Sequence, residues 1–157
     1  MGSTLVKTVD YLVVTKYNNK NMYNIAFGDY NPVDDSINTS VDSDNGDVYK
    51  VFYTILGSIK RFLDITPNSI LMVTGSDSSQ EFLDKCKATC SKNCKDALSC
   101  KNRHRRISVY RKYVNKNFQL LSDEYVFSGG IMNLNSQVSI ENFILGKPYD
   151  VVFVSKK

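Results

Sequence analysis

The chain has 157 residues, 42% of them hydrophobic, with 10 Tyr, 8 Phe and no Trp. That is one domain's length with enough apolar side chains for a core, which excludes disorder, and no apolar run is long enough to cross a bilayer. The net charge of +4 is too small to name a partner, but it is unevenly spread. Residues 1–80 carry 6 Lys/Arg against 9 acids, and residues 81–157 carry 14 against 7. From 85 to 116, eleven basic residues face a single acid, Asp96. Such asymmetry suits docking to an acidic surface, and equally a solvated basic helix.

Residues 9–16 (VDYLVVTK) and 22–30 (MYNIAFGDY) are rich in β-branched and aromatic residues and flank a polar stretch, which predicts a hairpin. A polar, Asp-rich loop over 31–45 follows, and Asn45-Gly46-Asp47 offers a cap for a helix. Val48, Val51, Phe52, Ile55, Leu56, Ile59, Phe62 and Leu63 form one helical stripe, so a helix is expected over 47–63, ending before Pro67. Residues 70–74 (ILMVT), closed by Gly75-Ser76, read as a buried strand. From 76 to 128 there is neither Gly nor Pro, which favours helix in two pieces broken near 91–93 or 99–102. In the second piece, about 103–116, Ile107, Tyr110 and Val114 turn inward. Residues 124–131 and 149–155 read as closing strands. The order β-β-α-β-α-β-β predicts a single α+β domain over 1–157, with two or three helices on a mainly antiparallel sheet of about five strands.

These residues resemble an uncharacterised family of small Bacteroidetes-type proteins, a domain of unknown function. The resemblance rests on Ser43-Asp44-Asn45-Gly46-Asp47 with Lys50-Val51 and Thr54-Ile55, then on Gly75-Ser76. It resumes at Arg106-Ile107-Ser108-Val109-Tyr110-Arg111 with Asn115-Lys116-Asn117, and at Pro148-Tyr149-Asp150-Val151-Val152-Phe153. It implies a cytosolic bacterial or phage protein without an established activity. In the family the Gly-Ser turn leads within a few residues into an Arg-Thr-x-Leu-Tyr helix. Here a Cys-rich basic insert, about 81–105, intervenes.

The insert holds all four cysteines, Cys86, Cys90, Cys94 and Cys100, with His104 four residues further on. On an unbroken helix they would share one face, which permits zinc ligation, disulfides or plain thiols. The C-x2-C knuckle of structural zinc sites is absent, and a cytosolic setting works against disulfides, so plain thiols are favoured. His104 is the only histidine, and no third group orients it for nucleophilic catalysis. Acid pairs such as Asp34-Asp35 serve equally as solvated or capping groups.

Two function classes follow. In the favoured one, a non-enzymatic binding or accessory protein, in a phage or bacterial conflict setting, engages an acidic protein or nucleic acid through the basic insert and the helix over 103–116, with Arg103, Arg105, Arg106, Tyr110, Arg111 and Lys112. In the alternative, a small enzyme or sensor binds a phosphate-bearing ligand at Gly75 and Ser76 with Arg106, where a strand–helix junction presents free N–H groups. Neither calls for a cofactor, and neither involves a membrane.

Overall fold

A computed structural model describes residues 7–38, 48–74, 80–89, 105–135 and 137–157. They form seven strands and three helices: β1 (Lys7–Tyr17), β2 (Lys20–Asn31), β3 (Ser36–Asn38), α1 (Val48–Ile65), β4 (Ser69–Val73), α2 (Gln80–Thr89), α3 (Arg105–Leu121), β5 (Tyr125–Met132), β6 (Val138–Asn142) and β7 (Val151–Lys156). The class is α+β, as the sequence indicates. The strand count is seven, where about five are expected, because β3 and β6 interrupt stretches that read as loop. By contact density the chain divides into residues 1–71 with Lys156, and residues 72–155 with Lys157.

In the first unit β1 and β2 form the expected hairpin, but its loop is only Asn18-Asn19. Tyr17 pairs with Lys20, and Asn18 and Asn19 take φ of 49° and 62°. Two successive left-handed residues give a turn whose twist matches that of the strands, and asparagine tolerates this conformation better than most residues. Val13 pairs with Tyr23 and Thr15 with Met22, so Val14 is an inserted bulge residue that reverses which face the end of β1 presents. The Asp-rich segment makes a second turn. Asp34 Oδ1 accepts from the Ser36 amide at 3.2 Å and from its hydroxyl, Tyr30 donates to Asp35 Oδ1 at 2.9 Å, and Asp35 has φ 53°. These local bonds direct 36–38 back along β2 as β3, and they occupy the Asp34-Asp35 pair in turn formation.

Helix α1 runs two residues past the expected end. Thr66 closes it, its amide and hydroxyl both donating to the Phe62 carbonyl at 2.8 and 2.7 Å. Of the predicted stripe, Ile55 and Leu63 are buried and Ile59 and Phe62 half-buried; the side chains of Val48, Val51 and Phe52 lie outside the described ones. Phe62 stacks on Tyr11 at 4.1 Å and meets Tyr23 edge-on at 4.9 Å. Because Tyr11 pairs with Ile25, Tyr11 and Tyr23 are diagonal neighbours on one face of the hairpin, and α1 lies on that face. Tyr11 also shares a hydrogen bond with Ser58, one turn before Phe62. In β4, which the sequence marks as a buried strand, Ser69, Leu71 and Val73 are buried in alternation.

The second unit is built around α3. Its strands follow the order β7-β5-β6. The Asp150 amide donates to the Gly130 carbonyl and the Lys157 amide to the Glu124 carbonyl, both at 2.9 Å, so β7 runs antiparallel to β5; β6 is antiparallel to β5 as well. Ile107, Val114, Phe143, Tyr149 and Val152 form the core, with Tyr110, Phe118 and Phe127 packed against it. The inward turn of Ile107, Tyr110 and Val114 is therefore as expected. Helix α3 continues five residues beyond the expected Lys116, because Phe118 adds one more turn to the same apolar face and stacks on Phe143 at 5.8 Å.

Two glycines test these packing assignments with opposite signs. A Cβ on Gly129 would lie 2.3–2.4 Å from the Tyr149 ring, whereas one on Gly57 in α1 would meet nothing within 4 Å. Gly129→Ala should therefore destabilise the protein by roughly 1–3 kcal/mol through overpacking. Gly57→Ala should stabilise it by about 0.5–1 kcal/mol through helix propensity. Denaturant unfolding of the two variants beside the parent checks both signs.

Candidate functional site

Helix α3 is fixed to the segment after β6 by two polar side chains one turn apart. Arg111 donates from Nη1 to the Tyr149 carbonyl at 3.0 Å. Asn115 Oδ1 accepts from the amide of Gly146 at 3.1 Å, in a turn where Gly146 has φ 81°, a conformation suited to glycine. Arg111 is half-buried. Its burial pulls the guanidinium pKa down, and the charge of Asp150 works the other way. Arginine stays protonated throughout, so a cation is held against the chain just before β7.

Tyr149 itself is fully buried. Its ring lies against Gly129 and 5.2 Å from Phe143. Its hydroxyl donates to Glu141 Oε1 at 2.7 Å and accepts from the Ile144 amide at 3.0 Å. Lys147 pairs with the same carboxylate and sits 5.6 Å above the Tyr149 ring. Asp150 Oδ2 accepts from the Met132 amide at 2.8 Å. Burial first, and then the Glu141 carboxylate, push the Tyr149 hydroxyl pKa up, so this phenol is a neutral anchor and not a nucleophile at neutral pH. The hydrogen bonds from Lys147 and Tyr149 hold Glu141 below the usual carboxylate range, and Glu141 holds Lys147 above the usual amine range.

With Ile107, Tyr110, Val114 and Phe118 turned to the core and Arg111 and Asn115 bound to the following segment, α3 leaves Lys112 and Lys116 exposed. They are four residues apart and so lie on one face. Arg106 is half-buried at the start of the helix, and Tyr110 packs on the core. Arg105 opens α3, its side chain outside the described ones. Gly75, Ser76, Arg103, Cys90, Cys94, Cys100 and His104 lie outside the described residues, as does the cap at Asn45-Gly46-Asp47. Cys86 is half-buried in α2. Among the described residues no group of three or more His, Cys, Asp or Glu is placed to hold a metal ion, and no helix is long and apolar enough to cross a membrane.

Glu141, Lys147 and the anchoring role of Tyr149 are absent from the sequence reading. The signal that points to them is Gly129-Gly130 inside a strand pattern, which marks a place where another group approaches the backbone closely.

The Glu141 bonds carry a pH dependence of definite sign. A carboxyl pKa below its usual value of 4.5 gives stability that is fully present above that value and is lost as pH falls through the lowered folded pKa. The acid limb of the parent's stability profile should be shallower in Glu141→Gln. Thermal melts taken at and below the usual carboxyl value of 4.5, with stability falling equally steeply in parent and variant, would contradict this.

A family model described as a family of unknown function, DUF6934, matches residues 2–89. No curated protein and no solved structure matches the chain. The matched residues take in the β1–β2 hairpin, α1, β4 and α2, together with the Ser43–Asp47 and Gly75-Ser76 motifs; α3 and the Tyr149 anchor lie beyond them. On a match over more than half of its length, the chain belongs to DUF6934, a family of unknown function.

Proposed function

We propose that the protein is a non-enzymatic binding protein that engages an acidic partner, protein or nucleic acid, through the basic insert and the outer face of α3. One observation carries the reading. Arg111 and Asn115 hold α3 in place, at 3.0 and 3.1 Å from their partners, while Lys112 and Lys116 stay exposed within a stretch of eleven basic residues and one acid. A held helix presenting a row of cations loses little entropy on meeting an anionic surface, and such a field accelerates encounter. The setting is the cytoplasm of a bacterium or of a phage-infected cell, which is what the family resemblance implies.

Titration of the full chain with a labelled single-stranded oligonucleotide and with an acidic peptide, over a series of salt concentrations, tests this. Affinity should fall steeply as salt rises. For the oligonucleotide, Lys112→Gln and Lys116→Gln should each lower the slope of log affinity against log salt by about one. Affinity that is flat with salt for both ligands would remove the acidic partner.

A further inference from the structure

We propose that β6 is a self-pairing edge, through which two copies of the chain join their sheets antiparallel about Ile140. Strand β6 has β5 alone as strand neighbour among the described residues, and every one of its five residues is exposed. The Phe143 amide bonds to the Phe127 carbonyl and the Asn133 amide to the Gln137 carbonyl. With Gly130 opposite Ile140, these two bonds fix the alternation of the ladder. Ser139 and Glu141 direct their amides and carbonyls to β5, while Val138, Ile140 and Asn142 direct theirs outward.

A two-fold axis at Ile140 then sets outward groups directly against outward groups. Ile140 faces Ile140 of the second copy and exchanges two hydrogen bonds with it. Val138 faces Asn142 on each side and exchanges two more. The Tyr149 hydroxyl lies 3.4 Å from the Asn142 carbonyl, leaving that oxygen's second lone pair for the copy.

The side chains argue for a second copy as the occupant. Residues 137–142 contain no Lys, Arg or Pro, the residues that ordinarily keep an edge from pairing. The one charge, Glu141, is already bound by Lys147 and Tyr149, and in this register it stands opposite Ser139, so no like charges meet. Val138 and Ile140, 36% and 37% exposed, lie on the same face as Met132, which is 48% exposed and pairs with Val138. The two-fold axis makes these short apolar strips continuous. Strand β1, whose only strand neighbour among the described residues is β2, differs: it carries the Val14 bulge and Lys7, Asp10 and Lys16, which disfavour pairing.

Sedimentation velocity of the full chain in reductant, from low to high micromolar concentration, reads the association directly. The expected result is a shift toward twice the chain mass of 17.8 kDa. Ile140→Pro removes only an outward-facing amide and leaves the β5 ladder intact; it and Ile140→Lys should stay at a single chain mass with unchanged far-UV circular dichroism. Should Ile140→Pro fail to fold, Ile140→Lys decides. Amide exchange at Val138 should slow with concentration in the parent and not in Ile140→Lys. A parent that stays at one chain mass over the whole range, including one that binds an extended peptide instead, would overturn the proposal, as would an Ile140→Lys variant that associates like the parent.

Discussion

The second unit depends on one side chain being admitted to one place: the Tyr149 ring occupies the space that any Cβ at position 129 would fill. Burying an aromatic ring of this size contributes on the order of 2–3 kcal/mol. The phenolic hydroxyl would cancel part of that if left unpaired, and here it is satisfied in both directions, donating to Glu141 and accepting from Ile144. The exposed Glu141–Lys147 pair adds little by itself, since water screens it. Its role is to hold the carboxylate where the buried hydroxyl needs an acceptor. The adjoining glycine is constrained as well, less tightly, because a Cβ on Gly130 would lie 2.6 Å from a methyl of Val138 and 3.0 Å from Phe153.

From that anchor the arrangement of α3 follows. The ring sits beside Ile107, Val114 and Phe143 in one core, and the carbonyl of the same tyrosine receives Arg111. One residue therefore contributes both apolar and polar fixation of the helix. A cation that could have faced solvent is turned toward the backbone, and among the described side chains of α3 the charges left exposed are those of Lys112 and Lys116. The basic character read from the sequence is thus divided by the fold: Arg111 is structural, and the lysines one and five residues later form the exposed face.

What was legible in the sequence was whatever carried a strong period. The hairpin, α1, β4, β5 and β7 combine β-branched or 3.6-residue patterns with clear stops, and the structure places each within about two residues of its expected bounds. Strands β3 and β6 carry no such contrast. The former is three residues long and follows from the Asp34 and Asp35 turn bonds. The latter, Val-Ser-Ile-Glu-Asn, alternates apolar and polar for only four residues and is exposed along its whole length, so no buried face sets it apart from the polar stretch around it. The same division holds at the candidate site. Tyr110 and Arg111 could be singled out from helical spacing and charge, but the Arg111–Tyr149 bond spans 38 residues, and only the paired glycines at 129 and 130 hint that a ring must fit there.

Replacing Tyr149 by Phe tests the central claim most directly, since it keeps the ring over Gly129 and removes only the hydroxyl. Unfolding of Tyr149→Phe should show a loss of about 1 kcal/mol, and the Ile144 amide should exchange faster than in the parent, with the far-UV spectrum unchanged. A variant with the parent's unfolding midpoint and an equally protected Ile144 amide would show that the hydroxyl anchors nothing, and would contradict the account.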